Sequence, residues 1–339
     1  MKNIFDNSLE DLEQYFIENN KKKFKATQIF DWLYKKKVTN FDQMINIKKE
    51  IITSLKNDFI FNKIKTAEKQ TDKNVHKYLF NLNDNNYIEA VLMKHNYGLS
   101  LCISSQVGCN MGCTFCESGR LKKIRNLETY EMVLQILQVE QDIKKRISHV
   151  VIMGIGEPFD NYDNVMKFIE IINNDKGLAI GARHITISSC GLIKEIKKFM
   201  TNPKQINLAI SLHASNDQLR NQLMPINRKY NLNNLITAIN EYITTTNRRI
   251  TFEYIMLKDI NDTKECALEL VNLIKGINCY INLIAYNETS TNYKRSSKQT
   301  ILKFYDILKQ NRINVTIRKE FGTKVNAACG QLRANHKEE

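Results

Sequence analysis

The sequence predicts an α/β protein with a parallel β-sheet, preceded by a small helical domain. From about residue 97, apolar runs of strand length alternate with helical stretches, whereas the first 60 residues show apolar positions at helical spacing. The alternation favours a parallel sheet with right-handed crossovers. An open doubly wound sheet and a complete or partial β/α barrel both fit this pattern.

Composition excludes several classes of protein. The chain has 339 residues, of which 42% are hydrophobic and 25% charged, as expected of a folded globular protein. Its apolar runs are too short to span a bilayer, and acidic residues interrupt the N-terminal segment where a secretory signal requires an apolar core. We therefore expect a cytoplasmic protein with no membrane partner. The formal net charge of +14 favours nucleic acid as partner, although an AT-rich genome would also enrich lysine.

The elements follow in order along the chain. Residues 1–60 are predicted to form a helical, basic accessory domain, in which lysine clusters at 21–25 and 35–37 form either a solvated face or a phosphate-contacting surface. Residues 61–96 are predicted to form a connecting β-hairpin. The core, 97–322, has predicted strands at 99–105, 148–153, 184–189, 205–212, 250–257, 279–286 and 314–318. Its predicted helices are 128–143, 163–173, 192–200, 231–245, 263–275 and 296–310. A C-terminal loop, 323–339, completes the chain.

The strongest chemical signal is a cysteine cluster after the first core strand. Cys109, Cys113 and Cys116 form a C-x3-C-x2-C motif. A structural zinc site usually has four ligands in two separated pairs, and no fourth cysteine or nearby histidine follows here. Three thiolates can instead hold three irons of a cubane iron–sulfur cluster and leave the fourth iron open. The remaining cysteines are dispersed: Cys102, Cys190, Cys266, Cys279 and Cys329.

The cysteine motif, with Phe115 before its last cysteine, resembles that of the radical S-adenosylmethionine (radical SAM) superfamily. The segment 153-MGIGEP-158 resembles the glycine-rich segment that contacts the SAM amino group. Over nearly the whole chain the sequence is similar to the RlmN/Cfr family, in the segments SSQVGC, GIGEPFDN, GARHIT, SLHA, LMPIN, FEY, NLI and AACGQLRA. The resemblance implies a partial (β/α)6 barrel, a 4Fe–4S cluster on Cys109, Cys113 and Cys116, and two SAM molecules per turnover.

The family chemistry implies roles for three further residues. One SAM methylates Cys329, and a 5′-deoxyadenosyl radical from the second SAM takes a hydrogen from that methyl group. The carbon radical adds to an adenine carbon in RNA. Cys102 then resolves the adduct through a transient Cys102–Cys329 disulfide, and Glu89 accepts a proton. Without the resemblance, Cys102 would be interpreted as a buried strand residue, Cys329 as a loop thiol and Glu89 as an exposed strand carboxylate.

Other positions match the SAM-contacting residues of the family: Gly156, Glu157, Ser188, Ser211, Leu212, His213 and Asn287. Met153 matches a position beside the methylated cysteine, with core packing as the alternative, and Cys190 is interpreted as structural. The chain departs from the family at Lys324 and Asn326, which replace two aspartates before Cys329. That departure puts acid-dependent positioning of the Cys329 loop in doubt.

The resemblance also implies the partners. The substrates would be an adenosine of 23S rRNA and an adenosine beside the tRNA anticodon, both methylated at C2, with a flavodoxin or ferredoxin donor and a monomeric enzyme. Pro158 after the Glu of GEP favours this RlmN-type activity over Cfr-type methylation at C8. Alternatives are a non-catalytic iron–sulfur or zinc RNA-binding protein and a radical SAM enzyme for a small molecule. Four cations beyond the cysteine cluster are predicted to contact RNA phosphates: Arg120, Lys122, Lys123 and Arg125.

Overall fold

A computed structural model describes residues 1–318 of the chain. Cys329, Lys324 and Asn326, about which the sequence makes predictions, lie outside the described residues. Within residues 1–318, no helix combines the length and apolar character needed to cross a membrane.

The N-terminal module contains three helices, α1 (Leu9–Glu18), α2 (Phe24–Tyr34) and α3 (Lys49–Asp58). Helix α1 begins with a reciprocal cap, in which the Ser8 hydroxyl accepts from the Asp11 amide and the Asp11 carboxylate accepts from the Ser8 amide. Two-residue parallel strands, Lys2–Asn3 and Phe59–Ile60, join the beginning and end of the module. The expectation of short helices here is confirmed.

The rest of the fold is built on a ten-stranded sheet whose strands we number in chain order: β1 (Lys65–Asp72), β2 (Val75–Asn81), β3 (Tyr87–His95), β4 (Gly98–Ile103), β5 (His149–Ile152), β6 (Ile185–Ser189), β7 (Asn207–Ser211), β8 (Ile250–Met256), β9 (Cys279–Ala285) and β10 (Val315–Ile317). Strands β1 to β4 are antiparallel, and β4 to β10 are parallel. The predicted hairpin is β2–β3. The structure adds β1 before it and joins all three strands to the edge of the parallel sheet.

Strand order distinguishes the two architectures that the sequence left open. In residues 1–318, the parallel strands are neighbours in chain order from β4 to β10. A doubly wound sheet instead reverses its order at a switch point. Successive right-handed crossovers between neighbouring strands put every connecting helix on one face, as in a β/α barrel. Strand β10 ends the sheet without pairing to β4, so the architecture is an open, partial barrel of six β/α units with β10 as a seventh parallel strand.

The remaining helices are, in order, α4 (Glu117–Arg120), α5 (Thr129–Ile143), α6 (Tyr162–Asn173), α7 (Ile193–Met200), α8 (Asp217–Leu223), α9 (Leu232–Thr246), α10 (Lys264–Ile274) and α11 (Lys298–Gln310). The sequence predicted six of these to within about two residues. It missed α4 and α8, which are too short to show a clear apolar period.

The two faces of the parallel sheet differ in chemistry. The strand register places Cys102, Ser188, Ser211, Glu253 and Asn282 on one face. Residues of opposite parity, which include Ile103, Ile152, Ile187, Ile210 and Phe252, are fully buried in the apolar core with the helices. The polar face is therefore the inner face of the partial barrel.

Candidate active site

The predicted SAM and cluster residues lie at one edge of the sheet. The cysteine loop follows β4, Gly156 and Glu157 follow β5, Ser188 is in the last part of β6, Ser211 ends β7, and Asn287 lies just beyond β9. Because parallel strands end at the same edge, segments that are far apart in sequence meet there. Asn287 is exposed, whereas Glu157, Ser188 and His213 are buried.

The cysteine loop is fixed by backbone contacts. Gly108 has a φ of +78°, and a Cβ at that position would lie 2.1 Å from the carbonyl oxygen of Lys122, so only glycine fits. The Cys109 amide donates to the Leu121 carbonyl at 2.9 Å, and the Thr114 amide donates to the Leu223 carbonyl at 3.0 Å. The loop is thereby held from both sides, by the chain after α4 and by the end of α8.

The three thiols share one electrostatic environment. Burial raises the pKa of the Cys109 thiol to about 12, and nearby Cys116 contributes to the increase. Burial, together with Cys116 and Cys109, also raises the pKa of Cys113. Such thiols ionise only beside a positively charged partner, which the iron of a cluster supplies. Within residues 1–318, no group of three Cys, His, Asp or Glu side chains is placed so that it could hold a metal ion as it stands. The loop therefore supplies the donors, and bonds to iron would set the final sulfur positions.

His213 connects the cysteine loop with the end of β7. Its ring packs edge-on against Phe115, with centroids 4.9 Å apart, and its Nδ1 accepts from the Ile255 amide at 3.1 Å. Burial, followed by the charge of Arg220, lowers the pKa of His213 to about 3. The ring is therefore neutral, with its proton on Nε2. The Phe115 carbonyl also accepts from the Tyr286 hydroxyl, which ties the loop to the end of β9.

Glu157 is a buried carboxylate between two strand ends. Its Oε1 accepts from the Phe159 amide at 3.1 Å and its Oε2 from the Cys190 amide at 2.8 Å, with 4% of the residue exposed. Burial raises its pKa, and these hydrogen bonds oppose the rise. The Ser189 and Cys190 side chains also donate to this carboxylate, and its negative charge can attract an ammonium group. Gly156, with a φ of +108°, passes so close to Gln106 that a Cβ would lie 2.6 Å from the Gln106 side chain.

Arg220 is a site residue that sequence reasoning missed. It is 1% exposed and donates to the carbonyls of Cys190 at 2.7 Å, Leu212 at 3.2 Å and Ser211 at 3.3 Å. It thereby joins the ends of β6 and β7, and its charge opposes the rise in the pKa of Cys113. Nothing in the local sequence distinguishes it from a surface arginine on a short helix.

Cys102 and Glu89 occupy the inner face at the antiparallel end of the sheet. Cys102 is buried in a small apolar cluster with Val75, Val91 and Met93, and Met153 packs against that cluster. Glu89 is 2% exposed, so the alternative of an exposed strand carboxylate is wrong. Its carboxylate Oε2 lies 3.2 Å from Nζ of Lys77, which is also buried. Sequence reasoning gave Lys77 no role.

Three more inner-face residues lie on the far side of the barrel. Asn282 donates to Glu253 Oε2 at 2.8 Å. Burial raises the pKa of Glu253, whereas the charge of Arg318 lowers it. Arg318 also reaches across the barrel, with Nη1 3.7 Å from the sulfur of Met153. The inner face therefore carries polar and charged side chains beside the apolar cluster around Cys102.

The four cations predicted to contact phosphates differ in availability. Lys123 pairs with Asp160 at 2.7 Å, and Arg125 pairs with Glu131 at 2.7 Å. Lys122 and Arg120 are exposed, and Arg120 contacts Ser290. Lys122 and Arg120 are therefore the more exposed of the four cations, although Arg120 is also paired, at 3.7 Å from Glu117.

Two family comparisons match this architecture. The radical SAM superfamily matches residues 103–274, and the ribosomal RNA large subunit methyltransferase N-terminal domain matches residues 2–60. A radical SAM methyltransferase from Sphaerobacter thermophilus has the same structure, with a TM-score of 0.92, 35% identity and coverage of 98% of this chain and 99% of that chain. The fold and the cysteine loop therefore define a radical SAM enzyme.

Proteins of similar sequence identify the family within the radical SAM class. A protein from Enterococcus faecalis, named a probable dual-specificity RNA methyltransferase RlmN, is 52% identical, with coverage of 98% of this chain and 96% of the relative. A protein of the same name from Acholeplasma laidlawii is 50% identical, with coverage of 98% and 99%. The chain belongs to the RlmN family. Membership implies a 4Fe–4S cluster and SAM, and the three thiols of the cysteine loop suit the cluster because thiolates are its usual ligands.

Proposed function

We propose that this enzyme methylates C2 of adenine in 23S rRNA and in tRNA, using an S-methylcysteine on Cys329. The observation that carries the proposal is the arrangement of the inner face. Cys102 and Glu89 share that face, and the cysteine loop and the predicted SAM residues follow the strands beside them. The names of the relatives support an RNA substrate.

The residues that would hold the cofactors follow from their positions. Cys109, Cys113 and Cys116 would bind three irons of the cluster. Glu157 would accept from the SAM ammonium, with Gly156 allowing close approach of the backbone. Ser188, Ser211, Leu212, His213 and Asn287 would complete the SAM pocket. When bound, the cluster supplies the electron that cleaves SAM to methionine and a 5′-deoxyadenosyl radical.

The protein side chains would then carry the methyl group. The thiolate of Cys329 takes a methyl group from the first SAM and releases S-adenosylhomocysteine. The SAM-derived radical would supply the oxidant that removes one hydrogen atom from the methyl group on Cys329, and the Cys329 methylene carbon would then bond to C2 of adenine. Glu89 accepts the C2 proton. The Cys102 thiolate attacks the sulfur of Cys329 and breaks the bond from sulfur to the methylene carbon, which takes a proton and becomes the methyl group. The adduct would return one electron to the oxidised cluster held by Cys109, Cys113 and Cys116 as the disulfide forms, and two equivalents of an external thiol would reduce the disulfide.

Partners follow from the same proposal. The basic N-terminal module and Lys122 would contact RNA phosphates, because such contacts supply most of the salt-dependent affinity. An adenine in folded RNA must leave its stack before its C2 edge reaches the inner face. The electron donor would be a flavodoxin or ferredoxin, and the enzyme would act as a monomer.

Nucleoside mass spectrometry tests the proposal. Reconstituted enzyme, SAM and a reductant are incubated with protein-free 23S rRNA, beside the Cys329→Ala variant. We expect 2-methyladenosine from the wild type and none from the variant. Detection of 8-methyladenosine would instead assign Cfr-type activity, and SAM cleavage without any methyladenosine would refute an RNA substrate.

The Cys102→Ala variant tests the resolving step separately. Without this thiol, we expect RNA to remain covalently attached to the protein, detected as a slowly migrating species on a denaturing gel. Cys279→Ala, which removes another buried strand cysteine, is the matched control and should leave no attached RNA. Release of methylated RNA by Cys102→Ala would contradict the role of this thiol.

A further inference from the structure

We propose that Lys77 is a positioning residue for catalysis, which fixes the Glu89 carboxylate in place as the proton acceptor. The inference rests on the proposed function, because it assigns Glu89 its role in resolving the RNA adduct. Nothing in the sequence motifs or in the comparisons assigns a role to Lys77.

The strand register puts the residues concerned in one small area. Val91 of β3 lies directly opposite Lys77 of β2 on one side and opposite Cys102 of β4 on the other. Glu89 is two residues before Val91 and therefore projects from the same face. Neighbouring strands are about 4.8 Å apart, so the Cα atoms of Lys77 and Cys102, two strands apart, are separated by about 10 Å. Glu89 lies on the middle strand, next to Val91 on the same face.

The contact between Lys77 and Glu89 is direct and fully buried. Lys77 Nζ lies 3.2 Å from Glu89 Oε2, and the side chains are 0% and 2% exposed. The backbone at Glu89 is fixed as well, because its carbonyl accepts from the Ser104 hydroxyl at 2.6 Å, and the oxygen of that hydroxyl accepts from the Ile155 amide at 3.1 Å. The main chain of Glu89 is thus held to the ends of β4 and β5, and its carboxylate is held by Lys77.

Stability alone gives no reason for this pair. Its neighbours on the same face, Val75, Val91 and Met93, are apolar. Burying two charges costs several kcal/mol per ion before their attraction offsets it, and apolar replacements of such pairs are often neutral or stabilising. A proton acceptor, in contrast, needs a carboxylate that carries its charge and keeps one orientation. An ammonium in contact with one carboxylate oxygen provides both.

The test compares four variants in the methylation assay: Lys77→Met, Lys77→Arg, Glu89→Gln and the double variant Lys77→Met/Glu89→Gln. Products are 5′-deoxyadenosine, methyladenosine and covalently attached RNA. For Lys77→Met we expect methyladenosine to fall about 100-fold, the loss typical of a misplaced catalytic group. Formation of 5′-deoxyadenosine should continue and attached RNA should accumulate, because hydrogen abstraction and addition precede proton transfer.

Three results support the inference together. Lys77→Arg should restore much of the methylation, the double variant should be no worse than Glu89→Gln alone, and Lys94→Met should behave as wild type, because Lys94 is an exposed lysine on the same hairpin. The double variant also removes both charges, so it keeps the test valid if Lys77→Met folds poorly.

The inference is overturned if Lys77→Met methylates nearly as well as wild type, or if its defect adds fully to that of Glu89→Gln. It is also overturned if deoxyadenosine formation falls in parallel with methylation, since that would indicate a structural defect. A wild-type enzyme that forms neither methyladenosine nor attached RNA would refute the proposed function instead.

Discussion

At the scale of single residues, the site is built from charged and polar groups that the fold buries. Glu157 and Arg220 both bond the backbone of Cys190 just after β6, and His213 accepts from the Ile255 amide in β8. A buried polar side chain with several backbone partners is costly to remove, because each partner is left without a hydrogen bond.

Arg220 provides the first prediction. Arg220→Met keeps an unbranched apolar stem but removes the donors to the carbonyls of Cys190, Ser211 and Leu212. We expect the free energy of unfolding to fall by about 2–4 kcal/mol, measured by urea denaturation. Arg228→Met, at an exposed position two turns away, should change it by less than about 0.5 kcal/mol. Equal effects of the two substitutions would contradict the role given to Arg220.

Asp6 provides a prediction about pH. Burial, with a smaller contribution from Glu128, raises its pKa from 3.8 to about 6, although the Tyr130 amide donates to it at 2.8 Å. The folded state therefore binds this proton more tightly than the unfolded state, and the contribution to stability is lost as pH rises from about 4 to about 6.

Asp6→Asn should increase the free energy of unfolding at pH 7.5 by about 1–2 kcal/mol, allowing for the partial exposure of this carboxyl, and by less at pH 4.5. Urea denaturation at both pH values, with exposed Asp175→Asn as control, checks this. A gain at pH 4.5 equal to or larger than that at pH 7.5 would contradict it.

At the scale of elements, the cysteine loop depends on backbone shape. The strands end at a common edge, yet the loop reaches its position only because Gly108 adopts a positive φ under the Lys122 carbonyl. Ion pairs from Lys123 to Asp160 and from Arg125 to Glu131 fix the chain that follows the loop to the segment after β5 and to α5. The positions of the thiols are thus determined by residues outside the cysteine motif.

Gly108→Ala tests this dependence. A methyl group there would clash with the Lys122 carbonyl in a backbone conformation that L-residues rarely adopt, so the loop must shift. We expect the iron and sulfide content after anaerobic reconstitution to fall severalfold. Gly181→Ala is the matched control, because Gly181 has a φ of −58° and no neighbour within 4 Å of an added Cβ. Full iron content in Gly108→Ala would show that the loop tolerates displacement.

At the scale of the whole molecule, the N-terminal module shares its core with the barrel. One continuous apolar cluster contains Ile4, Leu33 and Val315, and Lys167 of α6 pairs with Asp11 of α1. Deleting the first 60 residues would expose this core and confound any measurement of RNA affinity. Substitutions of surface lysines are therefore a better test of RNA binding than deletion.

Lys22 and Lys25, between α1 and α2 and at the start of α2, are suitable targets. Replacing both by glutamine should weaken RNA binding and reduce the slope of log affinity against log salt by about 1.4–1.8, if each contacts one phosphate. Lys275→Gln with Lys309→Gln makes the same charge change at the ends of α10 and α11, and should leave the slope nearly unchanged. Fluorescence anisotropy with a tRNA anticodon stem-loop at several salt concentrations measures both. Equal slopes for the two double variants would assign the effect to net charge alone.

The sequence by itself determined the elements and the chemistry. Periodicity located the seven parallel strands, because helices of clear period separate these apolar runs, and the spacing of Cys109, Cys113 and Cys116 indicated an iron–sulfur cluster. Both signals are local, carried by residues within a few positions of each other. The family resemblance also singled out Glu89 and Cys102, although it gave no reason for their burial.

Tertiary structure decided the rest, because it depends on contacts between distant segments. Strand order selected a partial barrel over a doubly wound sheet, and the antiparallel register placed Lys77, Glu89 and Cys102 on one face. Arg220 and Lys77 have no local signal, since a basic residue in a polar helix or an alternating strand is ordinarily exposed to solvent. Only the packing of neighbouring strands and loops shows that these two cations are buried.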